Sequence, residues 1–458
     1  VGLCFCADSI EITLLSFLSF VLKDEWGISS MEAASITSSV FVGQVLGTIA
    51  LGYLGDRIGR RPVFILAATI ITFFGVVTAG AWNVPSLLLA RVLCGFGVGG
   101  ISVPFDILAE LLPAEDRGSY LLFVEYFWTL GSITVPILAY FSIGVLGSWQ
   151  LFVVLCAVPC VISLVCAIFY VPESPRWLVA RGDNSSALDI LREVAKKNGK
   201  DPFSVFPPNT EICCLENEES SDFRDLLKPQ WREMMIYLWV AWFGMGTSYY
   251  GAIMIVTRVF VTEDDTDDNN GHITFNYRSI GISCSAEIIG LTIVVLAVNR
   301  IGRIYPAVSF FGLGGVFSAV LSFSASSQSV WLLTFVAFCT KCVEMGSSCL
   351  LWVITVEILP TELRSTGHGS SNAIGKLGGA LCPFLIEGDI PFWIVGVIMF
   401  IVHFITAFCV YHLPETKSLE MGQINLSNEK NDAKDIMINE PSTTSDYERH
   451  TRYSSELL

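Results

Sequence analysis

The sequence predicts an all-α membrane protein in which twelve transmembrane helices form two pseudo-symmetric six-helix bundles. Three observations support this fold class. Hydrophobic residues make up 52 % of the 458 residues and charged residues 15 %, whereas a soluble domain carries about 25 % charged residues. Apolar runs of about 20 residues, the length that crosses a bilayer, recur along the whole chain. Several short motifs also occur twice.

The apolar runs are continuous rather than alternating, which favours helices over the strands of a barrel. Within hydrocarbon the backbone polar groups must be satisfied inside each segment, and a helix does this by itself. The chain opens at Val1 inside such a run, so we expect it to lack an amino-terminal tail and the start of the first helix. The predicted spans are 1–22, 35–54, 62–81, 86–109, 119–141, 149–171, 234–260, 279–298, 305–325, 330–356, 366–386 and 391–411.

The polarity of the segments between the spans divides the chain into four parts. Within the predicted linker, Ser186–Asn198 indicates a surface helix and Pro202–Ser221 irregular chain. The last part is polar and rich in Ser, Asn and Asp, which is typical of disorder. The four parts are an N-terminal bundle with a truncated start (1–171), a cytoplasmic linker (172–232), a C-terminal bundle (233–411) and a disordered cytoplasmic tail (412–458).

Lysine and arginine are distributed unevenly between the two sides of the predicted spans. If the loop at 56–61 is cytoplasmic, cytoplasmic segments hold 21 of the 27 basic residues, four lie within spans, and Lys23 and Arg278 lie outside. This asymmetry follows the positive-inside rule and places both termini in the cytoplasm. The sequence does not distinguish the plasma membrane from an intracellular vesicle or another endomembrane.

Three motifs are written twice, at offsets of 243, 247 and 242 residues. A duplicated unit of this length in an apolar chain indicates a membrane transporter with two related halves, the alternative being chance matches in a hydrophobic protein. The repeated segments are 52–61 with 299–303, 110–117 with 357–364, and 172–176 with 414–417.

Several of these motifs resemble the major facilitator superfamily. They are Gly-x-x-x-Asp-Arg-x-Gly-Arg-Arg at 52–61, Arg91-x-x-x-Gly95, and Pro-Glu-Ser-Pro-Arg at 172–176. Segments 8–11, 25–26, 95–100, 125–128 and 248–251 narrow the resemblance to the synaptic-vesicle-2-related proteins, relatives of organic ion and nicotinate carriers. The resemblance covers essentially residues 2–417. The paired glutamines and the Gly-Pro-rich helix of sugar porters are absent from this sequence.

The resemblance implies a cytoplasmic gate at the ends of the helices. In the family pattern Asp56 pairs with basic residues in the outward-facing state and forms a latch that breaks on opening inward. Asn299 stands at the equivalent position of the second half and carries no charge, so we expect an asymmetric switch. The gate candidates are Gly52, Asp56, Arg57, Gly59, Arg60, Arg61, Glu110, Arg117, Glu173, Arg176, Asn299, Arg300, Arg303, Glu357 and Arg364.

Ionisable side chains inside a span are functional candidates, because an unpaired charge in a bilayer is costly. Asp8 and Glu11 lie three residues apart and share a helix face. The resemblance implies that Arg91 faces this acidic position, so that Asp8 or Glu11 with Arg91 couples proton binding to the conformational switch. The alternative is a static ion pair that fixes packing. The fourth span carries a small and polar stripe suited to lining a cavity: Arg91, Gly95, Gly99, Ser102, Asp106 and Glu110.

Other spans contribute further candidates for proton coupling or solute binding. Lys341 and Glu344 are three residues apart and could instead form a local pair without functional weight. Aromatic residues of the seventh span could stack on a flat or cationic solute, or could pack against lipid and core. These candidates are Glu125, Tyr249, Tyr250, Glu287, Lys341, Glu344 and Trp352.

The sequence therefore predicts a secondary active transporter of a small organic solute, anion or cation, with proton coupling and alternating access. A uniporter, or a receptor or scaffold that kept a carrier fold, is the alternative. No ATP-binding loop, metal cluster or Ser-His-Asp arrangement is visible, so we expect no enzyme, no cofactor and no metal. The expected partners are the solute, protons and the lipid bilayer, without nucleic acid, and the expected state is a monomer.

Overall fold

The computed structural model describes residues 1–416 except 102, 105, 106, 109–116, 209, 211, 213–222, 264–272 and 360. Within these residues, twelve helices are 16 residues or longer. Six precede the linker: α1 (Gly2–Glu25), α2 (Ser30–Ile58), α3 (Arg60–Thr78), α4 (Val84–Gly99), α5 (Arg117–Ala139, continued by a π-helical segment Tyr140–Val145) and α6 (Trp149–Tyr170). The linker contains α7 (Pro175–Ala180), α8 (Asn184–Lys197), α9 (Pro202–Val205) and a 3-10 segment Phe223–Leu227. Six more follow: α10 (Pro229–Val259), α11 (Tyr277–Ile301), α12 (Ile304–Phe323), α13 (Val330–Ile358), α14 (Thr361–Ile386) and α15 (Phe392–Tyr411).

Nine helices among the described residues combine sufficient length with a mean hydropathy of 1.3 or more. The other three have identifiable reasons for failing this test. α4 is apolar but has 16 residues. α10 and α14 are longer, at 31 and 26 residues, and each presents polar or aromatic side chains to an internal cavity. A helix that faces a cavity does not have to be apolar on every side.

The two halves repeat the same pairings of helices. In the first half α1 packs on α5, α2 on α4 and α3 on α6, and in the second half α10 packs on α14, α11 on α13 and α12 on α15. The halves meet where α2 packs on α14 and α5 on α11. This pattern gives the two pseudo-symmetric six-helix bundles that the sequence predicts.

Glycine allows the closest of these approaches. A Cβ added at Gly95 of α4 would lie 2.1 Å from the carbonyl oxygen of Val40 in α2. In the second half, a Cβ at Gly290 of α11 would lie 2.0 Å from the carbonyl oxygen of Cys342 in α13. Small residues let membrane helices pack backbone to backbone in this way, and both sites belong to the repeated pairing.

The helix boundaries differ from the predicted spans at several places. α2 begins at Ser30 rather than at 35, because Ser29 and Glu32 form a capping box that starts the helix earlier. The predicted fourth span runs to 109, whereas α4 ends at Gly99. Glycine is a poor helix former, and this helix ends in a run of them at positions 95, 97, 99 and 100.

The linker and one loop contain structure that the sequence analysis did not anticipate. Irregular chain was expected from Pro202, but Pro202–Val205 forms a short helix whose first turn is capped by Asp201 accepting from the Ser204 amide at 2.9 Å. Between α10 and α11, β1 (Val261–Glu263) pairs antiparallel with β2 (Ile273–Phe275), with Thr262 opposite Thr274.

Two names for the ends of the bundle are used below. The Trp26 end holds the loop between α1 and α2, together with the segment 387–391 between α14 and α15. The Gly59 end holds the junction of α2 with α3, together with the linker.

Candidate functional site

A cavity lies between the two halves. The empty space in and at the mouth of this cavity amounts to about 870 Å³, open solvent included. Helices of both halves contribute to its wall, so a rearrangement of one half against the other changes its shape. The residues that line it are Phe5, Asp8, Thr48, Val98, Gly99, Ile101, Glu125, Trp128, Trp242, Met245, Gly246, Tyr249, Tyr250, Met345, Ser348, Trp352, His368, Asn372, Gly375 and Lys376.

The first half contributes two carboxylates to this wall. Asp8 of α1 is 8 % exposed, and its Oδ1 has no hydrogen-bond partner among the described residues. Glu125 of α5 is half-buried in the same wall. Neither forms an ion pair within the described part of the chain. Both were predicted from sequence as candidates for solute binding or coupling.

The second half contributes a row of hydrogen-bonding side chains on α14: His368, Asn372 and Lys376. The Lys376 ammonium donates to the Tyr250 hydroxyl at 2.8 Å and lies 5.1 Å from the centre of the Tyr250 ring. His368, Asn372 and Lys376 were not among the predicted site residues. Their four-residue spacing in the eleventh span is the signal that could have found them.

Aromatic side chains occupy much of the remaining wall. The rings of Trp242 and Trp352 lie 5.1 Å apart, and Trp352 lies 4.7 Å from His368. Tyr249 and Tyr250 also line the cavity, with their rings 5.7 Å apart. The structure thus places the three predicted aromatic candidates, Tyr249, Tyr250 and Trp352, in the cavity wall.

A buried ion pair lies inside the first half and outside the cavity wall. The Arg91 guanidinium donates to Glu11 Oε2 at 2.8 Å, and the exposed fractions of the two side chains are 0 % and 1 %. Arg91 also donates to Thr78 Oγ1 at 3.0 and 2.6 Å. Of the two acidic candidates in α1, Glu11 is therefore the partner of Arg91, whereas Asp8 faces the cavity.

A second buried ion pair lies at the interface of the halves. The Lys341 ammonium donates to Glu287 Oε1 at 2.6 Å. Glu287 also accepts from Ser132 of the first half at 2.8 Å and from the Tyr249 hydroxyl at 3.4 Å. The Tyr249 hydroxyl in turn accepts from the Trp128 indole at 2.5 Å. The pair is thus linked by hydrogen bonds to two residues of the cavity wall.

The suggested local pair between Lys341 and Glu344 is wrong. Lys341 pairs with Glu287, and Glu344 lies against His403 of α15, with 2.5 Å between Oε1 and Nε2. The side chains of Lys341 and Glu344 point to different neighbouring helices, and each finds a closer partner there.

Among the described residues no three His, Cys, Asp or Glu side chains are grouped so that they could hold a metal ion.

At the Gly59 end, the repeated motifs form matching contacts in the two halves. Glu173 accepts from the backbone amides of Arg60 and Arg61 at 2.9 and 3.1 Å. In the second half, Glu415 accepts from the amides of Arg303 and Ile304 at 2.9 and 3.1 Å. Each carboxylate lies at the amino terminus of a helix, α3 or α12, where unpaired N–H groups favour an anion.

Two further charged pairs at this end, both among the described residues, also lie within one half. Asp56 pairs with Arg60 at 3.0 Å and is 65 % exposed. Arg303 contacts both oxygens of Glu357 at 2.9 Å. The Arg57 guanidinium lies 4.5 Å from the centre of the Tyr53 ring.

The other gate candidates fall into two groups. In the first group, Gly52 lies in α2 and Gly59 caps that helix with a φ of 114°. Arg176 is exposed on α7, and Arg300 is exposed in the last turn of α11. Glu110 and Asp106, predicted for the gate and the cavity, lie outside the described residues, as do the side chains of Arg117, Asn299 and Arg364.

At the Trp26 end, hydrogen bonds cross between the halves. Glu387, in the segment after α14, accepts from Ser19 of α1 at 2.9 Å and from Thr37 of α2 at 3.3 Å. Ser16 of α1 contacts Thr257 of α10 at 2.8 Å. The Phe17 and Phe275 rings lie 5.0 Å apart. These contacts close the cavity at this end, and sequence reasoning missed Glu387 because it follows the last residue of a predicted span.

Two repeated six-helix bundles with a cavity at their interface that charged side chains help to line define a membrane transporter. The chain belongs to the Major Facilitator Superfamily, whose sequence model matches residues 1–383.

Relatives and solved structures agree with this family. The synaptic vesicle 2-related protein of Xenopus laevis is 30 % identical over 401 residues, covering 84 % of this chain and 71 % of the relative. The organic cation/carnitine transporter 7 of Arabidopsis thaliana is 29 % identical over 428 residues, covering 84 % of each chain. The inward-open conformation of the xylose transporter XylE from E. coli superposes with a TM-score of 0.67 at 18 % identity, covering 92 % of this chain and 96 % of that one. This last likeness concerns the fold alone.

Proposed function

We propose that this transporter carries a small organic solute bearing a positive charge, and that proton movement through the cavity carboxylates drives the transport. The observation that supports the proposal most directly is the distribution of charge around the cavity. Asp8 and Glu125 line it without an ion-pair partner among the described residues. An ammonium group would supply the missing partner.

The aromatic wall supports the same assignment. Rings of Trp and Tyr attract a cation to their faces, and the attraction is stronger where water is excluded. Trp128, Trp242, Tyr249, Tyr250 and Trp352 all line the cavity. A relative at 29 % identity has organic cation/carnitine transporter in its name, which fits this chemistry.

The cavity wall fits an anionic solute less well than a cationic one. Arg91 and Lys341 are each paired with a buried carboxylate, and neither lines the cavity. Lys376 is the lysine that faces the space.

Proton coupling rests on Asp8 in this proposal. A carboxylate in a poorly solvated site is stabilised by a nearby positive charge and takes up a proton when that charge leaves. Arrival and departure of a cationic solute at Asp8 would therefore exchange for a proton. Glu11 and Arg91, which the resemblance offered as the coupling pair, remain joined to each other in this scheme.

The path across the membrane follows from the two ends of the bundle. We assign the Gly59 end and both termini to the cytoplasm, on the charge asymmetry of the loops. The domain limits 1–171, 172–232, 233–411 and 412–458 and a monomeric state are retained in the proposal. Opening and closing of the Trp26 and Gly59 ends in turn would expose the cavity to one side at a time.

Uptake into proteoliposomes that contain a pH-sensitive dye tests this function. The panel consists of tetraethylammonium, choline and nicotinate, applied to the native sequence, to Asp8→Asn and to Glu193→Gln, a control in the exposed linker helix. We expect cation-dependent proton movement that Asp8→Asn abolishes and Glu193→Gln retains. Cation uptake without proton movement would establish a uniporter, and uptake of nicotinate alone would overturn the cation assignment.

A further inference from the structure

The residues of α14 that face the cavity form a regular row. His368, Asn372 and Lys376 follow one another at intervals of four residues, which places them on one face of the helix. All three line the cavity. The row belongs to the second half, whereas the carboxylates Asp8 and Glu125 belong to the first.

Each member of the row can donate hydrogen bonds, and part of this capacity is unused among the described residues. The Lys376 ammonium has three donors; it makes one bond to Tyr250, and no ion pair involves it within the described chain. His368 Nε2 is buried without a hydrogen-bond partner. Its ring is held in place by edge contacts with Trp242 and Trp352, at 5.6 and 4.7 Å.

Unused donors beside a buried ammonium form the type of site that binds a carboxylate. Hydrogen bonds between an ionised donor and an ionised acceptor are stronger than neutral ones, and a buried polar group without a partner is destabilising. A carboxylate at this row would give Lys376 a counter-ion and His368 Nε2 an acceptor. The Asn372 amide lies between them along the helix and would supply a further donor.

The wall of the first half has the opposite character, since its charged groups are the carboxylates Asp8 and Glu125. The cavity wall therefore carries charge of both signs, carboxylates from the first half and an ammonium group from the second. A solute with one charge pairs with the charged groups of one half and leaves those of the other half without a counter-ion. A solute with both charges pairs with the charged groups of both halves.

We propose that the transported solute is a zwitterion, with its ammonium group bound at Asp8 and Glu125 and its carboxylate bound at His368, Asn372 and Lys376. The inference rests on the proposed function and names the solute class of the same cavity. A zwitterion would hold the two halves together through its own charges. Its binding would therefore favour arrangements in which the walls lie at the spacing of those charges.

A different role for Lys376 would give a different result. Its charge also acts on Asp8, so it could serve as a counter-ion of Asp8. In that case its removal would affect all cationic solutes equally, with or without a carboxylate.

The experiment compares matched solutes. Glycine betaine and 4-(trimethylammonio)butyrate are each tested against their methyl esters, which keep the ammonium group and lose the carboxylate. Uptake is measured in proteoliposomes for the native sequence, Lys376→Met, Asn372→Ala and Lys197→Met, the last a control in the exposed linker helix. We expect at least one acid to be preferred over its ester by tenfold or more in kcat/KM. Lys376→Met should abolish the preference while retaining ester uptake, Asn372→Ala should reduce it, and Lys197→Met should leave it unchanged.

The other outcomes separate the two proposals. If the native protein transports acid and ester equally well, or if Lys376→Met lowers both equally, the carboxylate subsite is wrong and the cation assignment stands. If Lys376→Met yields no folded protein, an unchanged preference in Asn372→Ala would overturn the subsite. If no cation in either panel is transported, the proposed function itself fails.

Discussion

Ionisable side chains at membrane depth occur in two contrasting environments in this protein. Glu11 with Arg91 and Glu287 with Lys341 are sealed pairs, with oxygen–nitrogen distances of 2.8 and 2.6 Å and exposed fractions of 0 to 2 %. Asp8, Glu125 and Lys376 line the cavity, and none of them forms an ion pair among the described residues. The same residue types are thus paired where they are sealed from the cavity and without an ion pair where they line it.

The difference shows which charges are available to a solute. A sealed pair has already exchanged water for a partner, and removing one member leaves an uncompensated buried charge. A cavity charge is compensated by whatever enters the cavity. The two environments therefore predict opposite responses to substitution: loss of stability for the sealed pairs, and loss of transport with little change in stability for the cavity charges.

Substitution of Arg91 should produce the largest effect on stability. Arg91→Met leaves Glu11 buried without its cation, and breaking a buried pair in this way costs about 3–5 kcal/mol. The double variant Glu11→Gln/Arg91→Met removes both charges and should recover most of the loss. Thermal unfolding in detergent measures this, with Glu125→Gln as the matched cavity variant, for which we expect a change below about 1 kcal/mol. An Arg91→Met protein of native stability that has lost proton coupling would instead support the coupling role that the resemblance implies.

The Gly59 end allows the same comparison on a smaller scale. Glu357 is 21 % exposed and binds Arg303 through both oxygens, whereas Asp56 is 65 % exposed and pairs with Arg60, four residues further along the chain. Hydrogen bonds to charged groups are worth about 1.5–3 kcal/mol, and exposed pairs about 0–1 kcal/mol.

We therefore expect Glu357→Gln to lower the free energy of unfolding by about 1.5–3 kcal/mol and Asp56→Asn by less than about 1 kcal/mol. Chemical or thermal unfolding of the two variants side by side provides the test. Equal decreases in the free energy of unfolding would mean that solvent exposure does not determine how much each of these pairs stabilises the Gly59 end.

Much of the fold could be predicted from the sequence, because its signals are local. Apolar runs of bilayer length, the positions of basic residues and the repeated motifs locate the helices and the two halves without knowledge of any contact. Boundaries were less accurate where capping or glycine decides them, as at Ser29 and after Gly95. The hairpin at 261–275 has no comparable signal, since its strands are three residues long.

The candidate site was predictable in composition but not in pairing. Glu11, Arg91, Glu287 and Lys341 are rare charges in apolar spans, which made them visible in the sequence. Which of them pair depends on helix rotation and on contacts between distant spans, such as the 54 residues that separate Glu287 from Lys341. Periodicity within one helix cannot supply that information, and it suggested the wrong partner for Lys341, namely Glu344.

Glu387 stands between the two environments and gives the last prediction. It is 5 % exposed, has two hydroxyl donors and no direct cation partner among the described residues, and its Oε2 is unbonded. Burial raises the pKa of Glu387 to about 7, while the hydrogen bonds from Ser19 and Thr37 and the charges of Arg258 and Lys23 act in the opposite direction.

The other charged groups near this segment form their own contacts. Lys23 of α1 donates to Ser30 at 2.7 Å, and Ser30 donates to Asp389 at 2.8 Å. Arg258 of α10 donates to the carbonyl oxygen of Ile386. Glu387 and Asp389 each accept a hydrogen bond from the first half, and of these two carboxylates Glu387 is buried whereas Asp389 is exposed.

The sign of the pH effect follows from the difference between the closed and open arrangements. Opening the Trp26 end exposes Glu387 to water, where a glutamate has a pKa of about 4.3. The closed arrangement binds the proton more tightly than the open one. The free-energy preference for the closed arrangement that results from this proton is therefore fully present below about pH 4.3 and is lost as the pH rises towards 7. Within that window each pH unit should shift the ratio of closed to open molecules by up to about tenfold, or about 1.4 kcal/mol.

Spin labels attached at Met31→Cys and Gln328→Cys, two exposed positions of the Trp26 end in different halves, measure this ratio through their distance distribution. Raising the pH from 5 to 7 should increase the population with the longer distance, and the same protein without the two added cysteines supplies the background. Glu387→Gln carries no titrating proton and should remove the pH response while the labels still report both arrangements. An unchanged pH response in Glu387→Gln would mean that another group causes the shift between the closed and open arrangements. Glu387 would then belong with the sealed charges that stabilise the bundle rather than with the charges that respond to their surroundings.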